Sequence, residues 1–245
     1  MTTLHMVLQG KGGVGKSMIS AMLAQYFHPF DEAVLGVDTD PVNATFAGFK
    51  ALDVKAVKFM DGTKVVPSMF DQFTALIMNH DGMVVNDNGA TSFLPLADYL
   101  ISEEIFDLFL ETGIKAVIHM VVVGGQALID TVSGLNSIAQ QFPEHVGLVV
   151  WKNEHFGPVE SGGKAFEKLA VYEKNAHRIN GIVTLHEQTE LVRQAVRDML
   201  TGRLTFREVE DASLEEYDFM KKRRIDRFRQ SVFGQLDVLR TGGVL

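Results

Sequence analysis

Short apolar runs alternate along the chain with longer stretches in which apolar residues recur every three to four positions. That alternation predicts strands joined by helices, an α/β fold with a mostly parallel, doubly wound sheet flanked by helices. Residues 4–8 read as the first strand, followed by a glycine-rich loop and a helix over 16–27 with Ile19, Leu23 and Phe27 on one face. Further strands are predicted at 33–37, at 83–86, at 116–123, at 146–151 and at 179–184, with a short one at 54–59. Pro67 suits the first position of a helix over 67–78, because proline lacks only an N–H that would be unpaired there. Asp61-Gly62 marks a turn. Helices are also predicted over 94–110, with Gly113 as the stop, over 127–141, over 187–200, and over a long final stretch, 213–240. In the last, Ile225, Phe228, Val232, Leu236 and Leu239 share a face, which is expected to pack on the helix's own domain or on a partner.

At 245 residues the chain suits one large α/β domain spanning 1–245. It has no cysteine, which excludes disulfides, thiolate metal sites and a cysteine nucleophile. The start carries no basic region followed by a long apolar core, and apolar runs such as 117–123 are strand-length, so neither a signal peptide nor a transmembrane segment is predicted and a cytoplasmic location is expected. The formal net charge of -8 disfavours direct binding to nucleic acid. The basic run Lys221-Lys222-Arg223-Arg224 lies among acidic neighbours and reads as a solvated helix face. The eight histidines show no metal-ligand spacing, and His119, inside an apolar strand, reads as a core residue.

One segment carries specific chemistry. Gly10-Lys11-Gly12-Gly13-Val14-Gly15-Lys16-Ser17 fits G-x-x-x-x-G-K-[ST] between a predicted strand and a predicted helix, the context a phosphate loop requires. Glycines let main-chain N–H groups converge on an anion, and the helix beginning at Lys16 adds the positive end of its dipole. Lys16 is expected to reach the β- and γ-phosphates and Ser17 to offer its hydroxyl to Mg²⁺; Met18 follows in the same turn. No Asn-Lys-x-Asp segment for reading guanine is present, so ATP is the expected nucleotide. Asp38-Thr39-Asp40 follows the second strand and Asp87 ends the third, positions that in an open α/β sheet face the ligand crevice. An aspartate at the Asp87 position suits a Mg²⁺-bound water.

Lys11-Gly12-Gly13-Val14-Gly15-Lys16-Ser17 resembles the deviant Walker A motif of the ParA/MinD/nitrogenase iron-protein class of P-loop ATPases. The resemblance implies that Lys11 reaches the nucleotide of a partner protomer in an ATP-dependent homodimer. Asp38 through Thr45 resembles that class's switch I, implying Asp38 near the Mg²⁺ shell and Asp40 orienting the attacking water. Val84 to Ala90 resembles its Walker B and switch II segment around Asp87, departing from it at Asn88 and in lacking a proline. Asn153 stands where relatives contact adenine, with Phe156, Gly157 and Pro158 as a wall around the base. Over residues 5–15, 37–50 and 57–63 the chain is similar to the TraL proteins of plasmid conjugative transfer, implying a protein partner in a transfer apparatus. Two other functions fit the same motifs: a nucleotide-gated adaptor with little hydrolysis, and a DNA-partition ATPase, against which the acidic charge argues.

Overall fold

A computed structural model describes residues 2–30, 33–40, 43–61 and 64–245. Pro41 and Val42 of the switch I resemblance, and Gly62 and Thr63 at the expected Asp61-Gly62 turn, lie outside them. Seven parallel strands form the central sheet: β1 (Thr3–Leu8), β2 (Val34–Asp38), β3 (Lys55–Ala56), β6 (Met83–Asp87), β7 (Lys115–Val123), β8 (Gly147–Asn153) and β11 (Gly181–Leu185). Their order is β11-β8-β7-β1-β6-β2-β3. Two short hairpins stand apart, β4 (Met60–Asp61) with β5 (Lys64–Val65), and β9 (Glu160–Ser161) with β10 (Lys164–Ala165). The helices are α1 (Lys16–Phe27), α2 (Pro67–Met78), α3 (Phe93–Ser102), α4 (Ile105–Glu111), α5 (Leu128–Gln141), α6 (Ala170–Asn175), α7 (Glu190–Thr201), α8 (Phe206–Asp211) and α9 (Phe219–Thr241).

The pleat of β1 explains the double winding. Leu4, Met6 and Leu8 enter a core with Phe73, Leu96, Phe109 and Leu135, on the side of α2 to α5. Val7 enters the other core, with Leu23, Val196, Phe228 and Leu236 of α1, α7 and α9. The inner strands β1, β7 and β8 are buried on both faces, hence their nearly unbroken apolar runs, whereas the edge strand β3 is exposed.

Three expectations need correction. The helix expected over 94–110 is two helices, with Glu104 in the left-handed region at φ 51°. Extending the buried stripe Phe93, Leu96, Ala97, Leu100 by helical spacing would drive Glu104, Asp107 and Glu111 into the core. The break resets the phase, so that Ile105, Phe106 and Phe109 are buried and Phe106 packs on Phe142 with ring centroids 4.8 Å apart. The helix expected over 187–200 begins at Glu190, after the Thr189 cap. The final helix begins at Phe219 rather than near residue 213, because Asp218 caps it by accepting from the N–H groups of Met220 and Lys221. Upstream, the sequence pattern missed α8, which Thr205 and Glu208 close with reciprocal capping bonds.

Helix α9 belongs to its own domain. Gln235 bonds both the N–H and the C=O of Thr184, completing the outer edge of β11 as a further strand would. Arg240 donates to the Tyr26 hydroxyl, which donates to Asp237. The basic run is half spent: Lys221 pairs with Asp198, and Lys222 donates to the Glu210 and Ala212 carbonyls after α8. Among the described residues no helix is long and apolar enough to cross a membrane.

His119 is fully buried and takes part in a polar chain. Trp151 Nε1 can only donate, so His119 Nδ1 accepts (2.9 Å), leaving its Nε2–H for His5 Nδ1 (3.1 Å). Burial holds both rings well below the usual histidine range, His119 at about 3. The unfolded chain takes up these protons below about pH 6.5, the folded chain does not. The stability the neutral rings contribute is therefore complete above that pH. Below it, stability is lost progressively as the unfolded chain takes up protons that the folded chain refuses. The ring resonances of His5 and His119 are expected to stay constant between pH 8 and 4 in NMR spectra of the folded protein. A midpoint near 6 would show that this core is open to water.

Candidate nucleotide site

The sheet order makes β1 the point where the chain turns from one side of the sheet to the other, and its carboxyl end opens the crevice where α/β folds bind ligands. The loop from Gln9 to Gly15 occupies that end. Gln9 is buried and its amide anchors the loop to the carbonyls of Val121 and Thr131. Gly15 leads into α1 at φ 101°, a conformation a side chain would strain, and a Cβ there would lie 3.1 Å from Asn153 Nδ2. No side chain caps α1 and no acidic residue sits in its first turn, so its leading N–H groups are left for an anion.

Lys16 is 8% exposed and its Nζ donates to the carbonyl of Lys11 at 3.1 Å. Desolvation lowers its pKa, against the opposing attraction of Asp87 and Asp40. The register of β2 and β6 sets Asp38 directly opposite Asp87. Asp87 is buried, and desolvation pushes its carboxyl up to about 7. Bonds from Ser17 and Ser20 and the charge of Lys16 oppose this, and the charge of Asp38 adds to it. Asp38 is raised chiefly by desolvation, while accepting from the N–H groups of Asp40 (3.0 Å) and Ala47 (2.8 Å). A buried lysine, two carboxylates and the Ser17 hydroxyl therefore share one end of the sheet. The oxygens suit Mg²⁺, and the loop with Lys16 suits a phosphate chain.

Asp40 stands at the rim, with Oδ1 accepting from the N–H of Asn43 at 3.0 Å. A Cβ on Gly89 would lie 2.7 Å from Asp40 Cγ, so the segment after β6 fits against Asp40 only with glycine there. Asn88 has its own function in the fold. Its Oδ1 accepts from Ser92 (2.8 Å), and the hydroxyl of Thr39 lies 2.9 Å from the Asp87 carbonyl. The Thr39 hydroxyl, which also lies 3.2 Å from Asn88 Oδ1, ties the ends of β2 and β6 together.

Two expected residues have partners the sequence could not name. Lys11 pairs with Asp130 of its own α5 at 2.8 Å, both about half exposed, a pair of the kind worth about 0–1 kcal/mol and easily exchanged. Asn153, buried at the end of β8, donates to the Val14 carbonyl at 2.9 Å and accepts from His155, so its amide braces the phosphate loop. Beside it a cavity of about 410 Å³ opens between Gly13 and Gly15 of the loop, Met18 of α1, Asn153 at the end of β8, Phe156 just after it, and α7. Gly157 and Pro158 are not among its lining residues; their carbonyls crowd Gly124 instead. Asp130 and Gln9 carried no sequence signal, because their partners lie more than 100 residues away.

Residues 5–203 match the CobQ/CobB/MinD/ParA nucleotide binding domain. The chain belongs to that family. Within the MinD/ParA family it is of TraL type: it is 46% identical over 240 residues to a Protein TraL of Escherichia coli, covering 97% of this chain and 98% of the relative. A second Protein TraL of Escherichia coli is 44% identical over 239 residues, covering 97% and 98%. The fold is that of MinD. The chain superimposes on the septum site-determining protein MinD complexed with Mg-ADP from Pyrococcus horikoshii OT3 with a TM-score of 0.53, at 13% identity over 98% of both chains. For the MinC:MinD cell division protein complex of Aquifex aeolicus the TM-score is 0.51, at 14% identity over 95% of this chain and 96% of that one.

Proposed function

We propose that this protein is a cytoplasmic, Mg²⁺-dependent ATPase that hydrolyses slowly and acts as a nucleotide-switched dimer in plasmid conjugative transfer. The observation that carries the reading is Lys16, a desolvated cation set on an uncapped helix end beside Asp87 and Ser17. Main-chain N–H groups of residues 10–15 and the Lys16 ammonium hold the phosphates. Ser17, Asp38 and Asp87 hold the cation with its waters. Bound Mg²⁺ neutralises charge that develops on the phosphates. Asp40 orients the attacking water, and the adenine enters the cavity beside Gly15, Met18 and Asn153. Similarity over almost the whole chain to the TraL proteins of Escherichia coli supports the conjugative role.

Lys11 supplies the switch. In the single chain it rests on Asp130. In the dimer it exchanges that weak pair for the phosphates of the partner's nucleotide. The molecular mass in solution is expected to double with ATP and Mg²⁺, to stay monomeric with ADP, and to stay monomeric with ATP in Lys11→Ala. A mass that never changes rules out the switched dimer.

A further inference from the structure

The cavity beside Gly15 has one wall that the nucleotide motifs do not account for. Arg193, Val196, Arg197, Leu200 and Thr201 all line it, and their spacing puts them on a single stripe of α7. Val196 is buried at its base and Arg197 is exposed at its rim. Arg193 gives one terminal nitrogen to Glu190 at 2.6 Å, and its buried Nε–H has no acceptor among the described residues. Arg197 has no hydrogen bond or ion pair among the described residues. No carboxylate lines the cavity; Arg193 is paired with Glu190 outside it, and Arg197 is the unpaired guanidinium of this wall among the described residues.

A guanidinium is planar and weakly hydrated, and its favourable contacts are aromatic faces and hydrogen-bond acceptors. A nucleobase offers both. Phe156, 52% exposed, borders the same cavity and adds an aromatic face. We propose that the α7 stripe is the base-recognition wall of the site. Arg197 stacks on the base, Arg193 Nε–H donates to a ring nitrogen, and the large face of a purine is selected over a pyrimidine. This rests on the nucleotide reading above, since the phosphate loop is what delivers the base to the cavity.

Inorganic tripolyphosphate separates the two claims, because it offers the phosphates without a base. With Mg²⁺ present, the wild type is expected to bind ATP at least tenfold more tightly than tripolyphosphate, and more tightly than CTP. Arg197→Met is expected to weaken ATP about tenfold, the size of a base-stacking contact, and to leave tripolyphosphate unchanged. Arg193→Met is expected to act in the same sense. Arg197 is exposed, so its variant should unfold at the wild-type temperature. Equal weakening of both ligands would place Arg197 on the phosphates and overturn the base-recognition wall. A wild type that binds tripolyphosphate as tightly as ATP would overturn it too, leaving the phosphate cradle standing. Binding of neither ligand would overturn both.

Discussion

Lys16→Ala is expected to lower the affinity for Mg-ATP about 100-fold or more while the apo protein stays folded. The side chain is 8% exposed, and its only hydrogen bond among the described residues goes to a neutral carbonyl of its own loop. The attraction of Asp87 and Asp40 only partly offsets its desolvation, which still lowers its pKa. Phosphate oxygens replace that carbonyl with charge-assisted bonds, each worth about 1.5–3 kcal/mol, and alanine removes them. The folded apo state loses little, because the desolvation that lowers the lysine pKa is relieved as well. Isothermal titration with Mg-ATP, beside thermal unfolding without ligand, checks both halves. Affinity within threefold of wild type would take Lys16 out of the phosphate site.

Asp40→Ala should separate binding from turnover, with Mg-ATP affinity within a few-fold of wild type and hydrolysis reduced about 100-fold, the usual scale for a group that positions or activates a nucleophile. Asp40 is half-buried, while Asp38 and Asp87, proposed above to hold the cation, are buried. The rim is where a water can approach the end of the phosphate chain. The segment after β6 meets Asp40 across Gly89 with no room for a Cβ, so the carboxylate is held against it. Single-turnover hydrolysis at saturating Mg-ATP is the appropriate measurement. A variant as fast as wild type would move the water-orienting role elsewhere or show that turnover is not this protein's task.

The phosphate loop could be read in the chain because its chemistry is local. Gly10 to Ser17 are contiguous, and the apolar runs on either side define the strand and helix that aim them. Asp38 and Asp87 were also legible, since each ends an apolar run and parallel strands present their carboxyl ends together. The phase shift between Leu100 and Ile105 was equally available: the charges at 103, 104 and 107 forbid a continuous helix there. Short elements were harder to see, because α8 and the β9–β10 hairpin have too few residues to establish a period.

The alternation of strands and helices, the anion-binding loop and the carboxylates that accompany it could all be read from the chain, because each depends on spacing over a few residues. Tertiary structure alone decided that Asn153 braces Val14, 139 positions away, that Lys11 meets Asp130, and that α7 turns two arginines toward the loop. It also decided what the apolar stripe of α9 faces, by closing the edge of β11 with Gln235. The reason is physical: a period specifies which side of an element is apolar, whereas its partner depends on how all the layers pack at once.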